Sequence, residues 1–338
     1  MHGSGTCIMT TEPEKIEYRK AAAQVTEKVR SSLKAAPEPI KEVAELLAET
    51  CGKGARTALL MASAMDDVGC VPPAAVNAAS SVELLHMATL VHDDIIDNAE
   101  LRRGKESVQS RFGKEVAVLG GDWLLTLAVR CALDADYPEE KITQKRGLAY
   151  ELATSAERIL LGEMMQRSHN GNLNLSVIQY IRIIDRKTAA LFCLAARAGA
   201  EISGCEDKEI RQLVRFSRYL GIVFQMVDDL KDYMLDEGQI LKPSRHDLIS
   251  GVVTLPLILS FAKEPELKSI ALDVIKGEAD IAALIRRMNN TKGIDAAKTV
   301  AESFADKARV IIETFSSPIK RDALSSLLEH SLTFAGVL

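Results

Sequence analysis

The amino-acid sequence predicts an all-α fold that forms one large domain. Its long segments, such as residues 74–97 and 208–234, place apolar residues three and four positions apart, which is the helical period. Alternating runs of Val, Ile and Thr are absent, and only 4% of the residues are aromatic, which argues against an all-β fold. No linker rich in Gly, Ser and Pro divides the chain. A single domain over residues 1–338 is therefore predicted, with residues 1–15 expected to be flexible.

The predicted helices are separated where turn-forming residues cluster. These breaks are APEP at 36–39, VPP at 71–73, YP at 137–138, NGN at 170–172 and LKPS at 241–244. Asn174 to Ser176 precede the apolar run VIQYIRII and mark the start of a helix. The segments 74–97 and 208–234 are apolar on most faces, so both helices are predicted to be central.

Charge and cysteine usage exclude several classes of function. The chain has 42 basic and 47 acidic residues and a net charge of −5, so it has no basic surface for nucleic acid or anionic membranes. The 6 cysteines are scattered without CxxC spacing, which favours reduced thiols over disulfides or a zinc site. No uninterrupted apolar run reaches the roughly 18–20 residues of a membrane span, and the start, MHGSGTCIMTTEPEK, does not resemble a secretory signal. We therefore expect a cytoplasmic protein without a transmembrane segment.

Asp93, Asp94 and Asp97 crowd the stretch LVHDDIIDNAELRRG at residues 90–104. On a helix, Asp93 and Asp97 are four residues apart and share a face, where their carboxylates repel each other. A divalent cation between them would reverse the sign of that interaction. The alternative for one isolated cluster is an acidic helix end in contact with solvent.

The same spacing recurs at Asp228, Asp229 and Asp232, again directly after an apolar helical run. Two such clusters at the C-terminal ends of two core helices could face each other across a cavity. Oxygen ligands without nearby Cys and with few His favour Mg²⁺ over zinc. Because Mg²⁺ commonly uses one or two carboxylates together with substrate phosphates, the pattern predicts a diphosphate ligand.

Basic residues accumulate near both clusters: Arg102, Arg103, Lys187 beside Thr188, and Lys242. Lys187 interrupts an apolar segment, where an unpaired ammonium would be costly. An ion pair with Asp185 or a side chain that reaches the surface are the alternatives. His86, seven residues before Asp93, lies on the same helix face and could equally be a hydrogen-bonded core residue.

Several stretches together resemble the motif set of one family. They are LLHMATLVHDDIIDNAELRRG, GGDWLL, GEMMQ, RKTAALF, FQMVDDLKD and KPSRHDL with TLPLI, in order over about residues 45–262. In this order they resemble the trans-type polyprenyl diphosphate synthases. The resemblance implies a helical bundle of the isoprenoid-synthase type around a central cavity, with Mg²⁺ as cofactor. It also implies condensation of isopentenyl diphosphate with an allylic prenyl diphosphate, and a homodimer for which the apolar segment 105–135 is the candidate contact.

The resemblance further implies a role for each matching residue. The metal ligands would be Asp93, Asp97 and Asp228. The residues that contact the allylic diphosphate or its leaving group would be Arg102, Lys187, Thr188, Gln225 and Lys242, and Lys187, Gln225 and Lys242 among them would be catalytic. The residues that hold isopentenyl diphosphate would be Lys53, Arg56, His86 and Arg103. In this family the allylic diphosphate ionises, isopentenyl diphosphate attacks the carbocation, and the departing diphosphate takes the proton.

Two stretches depart from the family pattern. The family's GGKRxRP is CGKGART here, with Cys51 for a glycine, Gly54 for an arginine and Thr57 for a proline. In KPSRHDL, Leu241 and Arg245 stand where glycines are common. The altered first stretch favours one alternative, a non-catalytic subunit of a heteromeric prenyl synthase, whereas the two intact aspartate clusters favour an enzyme. A class I terpene cyclase is a further alternative, but its second site would be expected to carry an Asn/Ser/Glu set.

The residues one helical turn before Asp93 predict the product length. If the diphosphate lies on the first cluster, the growing chain runs back along this helix, and its first possible floor lies about 6 Å away. Ala88 and Thr89 stand there, where short-chain relatives often carry Phe or Tyr. We therefore expect a medium- or long-chain product made from a farnesyl or geranylgeranyl primer. Geranylgeranyl diphosphate is the alternative product, because a neighbouring helix could supply the floor.

Overall fold

The computed structural model describes residues 15–49, 54–135, 147–233 and 247–333. Its α-helices are α1 (Tyr18–Lys34), α2 (Lys41–Glu49), α3 (Ala55–Ala64), α4 (Ala74–Ile96), α5 (Val108–Phe112), α6 (Lys114–Leu133), α7 (Leu148–Ser168), α8 (Val177–Ile184), α9 (Ala190–Ile202), α10 (Asp207–Lys231), α11 (Leu255–Lys263), α12 (Leu267–Ile275), α13 (Ile281–Asn290), α14 (Gly293–Ile312) and α15 (Pro318–Thr333). Short 3₁₀ turns cover Glu38–Ile40 and Asp247–Ser250. The predicted all-α fold is confirmed.

Helices α4 and α10 lie in the interior, as the sequence predicts. Helix α4 packs against α1, α3, α6 and α9, and α10 packs against α9, α11, α14 and α15. Both helices bury residues around much of their circumference, and the aspartate clusters lie at their C-terminal ends. The predicted start of α8 is confirmed as well, because Ser176 and Gln179 form a reciprocal capping box there. The predicted breaks at 137–138 and 241–244, and the predicted flexible residues 1–14, lie outside the described residues.

Helices α4 and α6 pack side by side in antiparallel directions. At one end, the Asn77 side-chain amide donates a hydrogen bond to the Asp134 carbonyl at 3.0 Å. At the other end, the His92 ring lies 3.4 Å from the Val118 carbonyl oxygen. A Cβ on Gly121 would lie 2.2 Å from His92 Nε2, so a larger residue there would displace the His92 ring. The two helices are therefore fixed in register beside the first aspartate cluster.

By length and composition alone, α4 and α6 could each cross a membrane. In α4, 72% of the relevant window is buried within the fold, whereas the value for α6 is 44%. Burial of this extent identifies α4 as a core helix. Helix α6 keeps an apolar face in contact with solvent, where Leu119 is 65% exposed.

A π-helical turn over Asp185–Ala189 joins α8 to α9. The sequence predicts one continuous apolar helix here, so the wider turn is a difference between prediction and structure. Two glycines pack against it. A Cβ on Gly162 of α7 would lie 2.5 Å from the backbone nitrogen of Lys187, and a Cβ on Gly221 of α10 would lie 2.7 Å from Ala189 Cα. The turn is thus held closely between two helices, which sequence periodicity does not reveal.

Two short antiparallel pairs add strand structure that periodicity did not predict. Ile16–Glu17 (β1) pairs with Cys70–Val71 (β2), and Leu101–Arg102 (β3) pairs with Lys105–Glu106 (β4). Pairs of two residues are too short to show hydrophobic alternation. Arg103 and Gly104 form the β3–β4 turn with φ of 54° and 79°, as a two-residue hairpin loop with both central φ values positive requires.

Candidate active site

The first aspartate cluster forms the C-terminal end of α4, with Asp97 as its C-cap residue. Burial raises the pKa of Asp93 to about 6; the Lys187 ammonium opposes this shift, and the Glu163 and Asp97 carboxylates add to it. A carboxyl group with so high a pKa is one whose negative charge is disfavoured by burial and only partly compensated by nearby positive charge. The end of α4 is therefore favourable for a bound cation.

An alternating chain of charges connects this cluster to the π-helical turn. Lys187 Nζ lies 2.5 Å from Glu163 Oε2. The Arg167 guanidinium donates to Glu163 Oε1 at 3.1 Å and to Asp97 Oδ1 at 2.9 Å. Glu163 and Lys187 are largely buried, so their pair is screened less than a surface pair. The expected alternative, an ion pair between Lys187 and Asp185, is not what forms, because Asp185 binds Arg218 on the outer side of the turn.

The second aspartate cluster ends α10 and is held mainly by neutral groups. The buried Asp229 carboxylate accepts hydrogen bonds from the Tyr180 hydroxyl at 2.6 Å and the Gln225 amide at 2.8 Å. The Thr188 hydroxyl in turn donates to Gln225 Oε1 at 2.7 Å. The structure thus brings the predicted residues Thr188 and Gln225 together. Asp228 is exposed and pairs with Lys231 at 2.9 Å.

Asp247 belongs to the same site, although the sequence did not single it out. Burial raises the pKa of Asp247 to about 6; the Lys187 ammonium lowers it, and the negative charges of Asp228 and Asp97 raise it further. Asp247 therefore lies within electrostatic range of both clusters, and Lys187 acts on Asp93 as well. The two clusters face a common region, as predicted. The only sequence signal for Asp247 was its position within the stretch KPSRHDL.

A separate cleft lies beside the first cluster, between α4, α2 and the β3–β4 hairpin, and encloses about 490 Å³ including its open mouth. Polar residues that line it include Glu83, His86, Asp94, Arg102 and Arg103. Arg102 Nε donates to Asp94 Oδ1 at 2.9 Å, and a second contact from its guanidinium makes the pair bidentate. Asp94 is therefore occupied by Arg102, whereas Asp97 on the same helix end contacts Arg167 through Oδ1 alone.

Arg56 enters this region from α3. Its guanidinium lies 4.8 Å from the centre of the Phe192 ring and 3.1 Å from His86 Nε2. Burial lowers the pKa of His86 well below its usual value, and the charges of Arg56, Arg103 and Arg102 lower it further. His86 is therefore neutral and accepts the Arg56 proton donor. Burial also lowers the pKa of Arg56, to about 10, and Glu83 opposes that shift, so Arg56 remains charged at neutral pH. The three arginines therefore converge on a neutral His86 at this end of the cleft, which Glu83, Asp94 and Glu106 also line.

The aspartates fit a hard divalent cation that binds together with a phosphate ligand. Among the described residues, no three His, Cys, Asp or Glu side chains are close enough to hold a metal by themselves. Mg²⁺ does not need such a cage, because it is commonly bound by one or two carboxylates plus waters and substrate phosphates. Oxygen donors alone, with raised pKa values for Asp93 and Asp247, match that requirement.

Most predicted site residues fall into two neighbouring regions. The region between α4 and α10 holds Asp93, Asp97, Lys187, Thr188, Gln225 and Asp228, and the cleft and its rim hold Arg56, His86, Arg102 and Arg103. The predicted residues Lys53 and Lys242 lie outside the described residues. Gly54 adopts a φ of 71° before α3, a conformation that glycine accepts readily. Glu163, Arg167 and Tyr180 join the site only through contacts between helices, although Glu163 lies inside the recognised GEMMQ stretch.

A family model, polyprenyl synthetase, matches residues 37–290. The chain belongs to the polyprenyl synthetase family. Component 2 of heptaprenyl diphosphate synthase from Bacillus subtilis is 31% identical over 255 residues, which are 75% of this chain and 70% of that protein. A short-chain isoprenyl diphosphate synthase from Methanothermobacter thermautotrophicus is 30% identical over 93% of this chain and 96% of its own length.

Solved structures of this enzyme family share the fold over nearly the whole chain. Heptaprenyl diphosphate synthase from Staphylococcus aureus superposes with a TM-score of 0.83 at 27% identity and covers 94% of this chain and 98% of its own. A polyprenyl synthase from Caulobacter crescentus, complexed with calcium and isoprenyl diphosphate, gives a TM-score of 0.82 at 29% identity, with 93% and 95% covered. The predicted isoprenoid-synthase type of all-α bundle is confirmed.

Proposed function

We propose that this family member is a Mg²⁺-dependent prenyltransferase. It condenses isopentenyl diphosphate with an allylic diphosphate, farnesyl or geranylgeranyl, to give a medium- or long-chain trans-polyprenyl diphosphate. The observation that carries the proposal is the division of charge. Two groups of carboxylates face a shared Lys187, and beside them lies a cleft lined by Arg102 and Arg103, where Arg56 contacts His86. Such a pair of regions suits one diphosphate bound through a metal and another bound directly by arginines.

Each region has a separate task in the proposed reaction. Asp93, Asp97 and Asp228 would hold Mg²⁺, which supplies positive charge to the departing diphosphate when it is bound. Lys187 would contact the same diphosphate, because Glu163 holds its ammonium next to the first cluster. The Thr188–Gln225–Asp229 hydrogen-bond chain fixes Gln225 near the second cluster.

The cleft would bind isopentenyl diphosphate through Arg56, His86 and Arg103, with Lys53 as a further proposed contact. Arg102 is fixed against Asp94, so it presents its remaining N–H donors near the junction of the two regions. Hydrogen-bond donors that are already in position before the reaction stabilise the departing charge without rearrangement of the site. Such stabilisation is usually the largest contribution to the rate enhancement. Lys242 remains a proposed contact to the leaving group.

Small residues on α4 support a long product. Ala88 is buried, and Thr89 is half-buried with its hydroxyl bonded to the His86 carbonyl. The antiparallel register of α4 and α6 places Leu124 and Leu127 at the level of Ala88 and Leu85. The facing helix therefore supports aliphatic side chains in this part of the wall, and the half-buried Trp123 is its only aromatic residue nearby.

The proposal is tested with the purified protein alone. Mg²⁺, isopentenyl diphosphate and farnesyl diphosphate are supplied, and the products are sized by chromatography. A medium- or long-chain product is expected, and Ala88→Phe should shorten it while the first condensation continues. A wild-type product that ends at farnesyl diphosphate, or an unchanged product distribution in Ala88→Phe, would place the floor of the site elsewhere.

Two other functions predict different results in the same assay. A geranylgeranyl diphosphate synthase would stop at that product. A non-catalytic subunit would form none until a second protein is added, and the Bacillus relative is named as one component of a synthase. The two intact aspartate clusters favour an enzyme, and the Asp229 network and the Lys187–Glu163 pair support them with residues of this chain.

We also propose that the enzyme is a cytoplasmic homodimer that forms through α6 and α7 and does not bind nucleic acid. Val118 and Leu119 on α6 and Leu160, Leu161 and Met164 on α7 are exposed apolar side chains, and such a surface is typical of a protein interface. Analytical ultracentrifugation at micromolar concentration should give a dimer. A stable monomer would contradict this assembly.

A further inference from the structure

Arg167 connects the first aspartate cluster to the helix that supports Lys187. It lies in the last turn of α7, where its Nε bonds to Glu163 of the same helix at 3.1 Å and its Nη2 bonds to Asp97 of α4 at 2.9 Å. No role follows for Arg167 from the sequence motifs. Its two contacts differ in burial: the Asp97 side chain is 55% exposed, whereas that of Glu163 is 11% exposed. The contact to Asp97 is therefore the weaker and more easily released of the two.

Arg167 occupies one oxygen of a carboxylate that the proposed function assigns to Mg²⁺. A guanidinium at 2.9 Å from Asp97 Oδ1 reduces the negative charge that this carboxylate offers to a metal. Its planar fork also matches the oxygen pairs of a phosphate group. Once a metal and a diphosphate are present, the fork can exchange the carboxylate for a diphosphate oxygen and keep Glu163 as its anchor.

We propose that Arg167 couples metal binding to diphosphate binding at the first cluster. Without diphosphate it holds Asp97 and weakens Mg²⁺ binding; with diphosphate it releases Asp97 and contacts the diphosphate. This inference rests on the proposed function, since it needs a metal–diphosphate ligand at Asp97. It assigns a diphosphate-contacting role to an arginine outside the recognised motifs.

Isothermal titration of Mg²⁺ alone tests the first half. Arg167→Gln should bind Mg²⁺ about two- to fivefold more tightly than the wild type, the range that an exposed ion pair can contribute. Arg130→Gln is the matched control, because it removes the same charge from an exposed arginine on α6. Arg130 lies near Asn77 of α4, roughly 30 Å along that helix from Asp97. In an Asp97→Asn background, Arg167→Gln should change nothing.

Titration of inorganic pyrophosphate at saturating Mg²⁺ tests the second half. Arg167→Gln should bind pyrophosphate about tenfold more weakly, as expected for loss of a charged hydrogen bond, and Arg167→Lys should lie between the two proteins. A merely structural role would weaken both ligands together or neither. Equal Mg²⁺ affinity in wild type and Arg167→Gln, including no binding by either, would overturn the inference. Failure of the proposed function would appear separately, as wild-type protein that makes no prenyl product.

Discussion

The central aspartate at the end of α4 is paired with an arginine, whereas the central aspartate at the end of α10 is held by neutral groups. Asp94 carries a bidentate pair with Arg102. The corresponding Asp229 accepts hydrogen bonds from Tyr180 and Gln225 instead. Burial raises the pKa of Asp229 well above its usual value, and the nearby charge of Asp247 adds to the shift. The same spacing of aspartates thus gives one central carboxylate with a fixed counter-charge and one held by neutral hydrogen-bond donors.

The central aspartate of each cluster therefore has a supporting role. The outer residues Asp97 and Asp228 form more exposed ion pairs, which a ligand can replace more easily. Asp94 orients Arg102 beside the cleft, and Asp229 orients Gln225 beside the second cluster. Lys187 is the cation that both clusters share, since it acts on Asp93 and Asp247 alike. A metal should therefore be needed at both clusters, because a single shared Lys187 faces several carboxylates.

Removal of one outer aspartate from either cluster should have the largest effect. Asp93→Ala and Asp228→Ala should each lower kcat about a hundredfold or more, because each removes part of a charge-stabilising site. EDTA should abolish activity, and Mg²⁺ or Mn²⁺ should restore it. Asp67→Ala, which removes an exposed carboxylate far along the chain from both clusters, serves as the control. Full activity after EDTA treatment would contradict metal dependence.

Substitutions on the two sides of the π-helical turn should separate catalysis from stability. Glu163→Gln keeps the side-chain shape but removes the carboxylate that holds Lys187, so kcat should fall about tenfold. Asp185→Asn weakens the outer pair with Arg218 and should lower the free energy of unfolding by about 1–2 kcal/mol with kcat nearly unchanged. Steady-state kinetics and urea unfolding of both variants measure this. Similar decreases in kcat for the two variants would contradict a separate catalytic role for the Glu163 side of the turn.

The central aspartates should contribute differently to stability, and Asp229→Asn should have the smallest effect of all. Asp94→Asn leaves the Arg102 guanidinium without its buried counter-charge and should cost about 2 kcal/mol, less than a fully buried pair because Arg102 is partly exposed. Asp229→Asn should cost less than about 1 kcal/mol, since an amide can bond to both Tyr180 and Gln225. Urea unfolding distinguishes the two variants. Equal losses in the free energy of unfolding would contradict the difference between a charged partner at Asp94 and neutral partners at Asp229.

Local sequence patterns predicted the parts of the site that depend on one element. Helical period and recurring spacing placed Asp93 and Asp97 at the end of α4, and Asp228 at the end of α10. The roles of Thr188 and Gln225 followed only from the family resemblance, and their hydrogen bond across 37 residues of sequence is visible only in the structure. Each of these predictions needed either a single helix or a known motif order.

Contacts between helices explain what the sequence could not predict. The π-helical turn depends on Gly162 and Gly221, which belong to two other helices and allow their close approach. Arg167 meets Asp97 across 70 residues of sequence. The apolar pattern around Lys187 favoured a regular helix, and nothing local in it indicates a partner such as Glu163. Tertiary packing decides such features, so they become visible only in the folded chain.

The number of metal ions bound per chain tests the account most directly. Mn²⁺ can be counted by electron paramagnetic resonance in the presence of inorganic pyrophosphate, with wild type, Asp93→Ala and Asp228→Ala compared at equal protein concentration. The account predicts that each variant binds fewer ions than the wild type and that Asp228→Ala keeps those at the first cluster. An Asp228→Ala protein with the wild-type number of bound ions would contradict a metal at the second cluster.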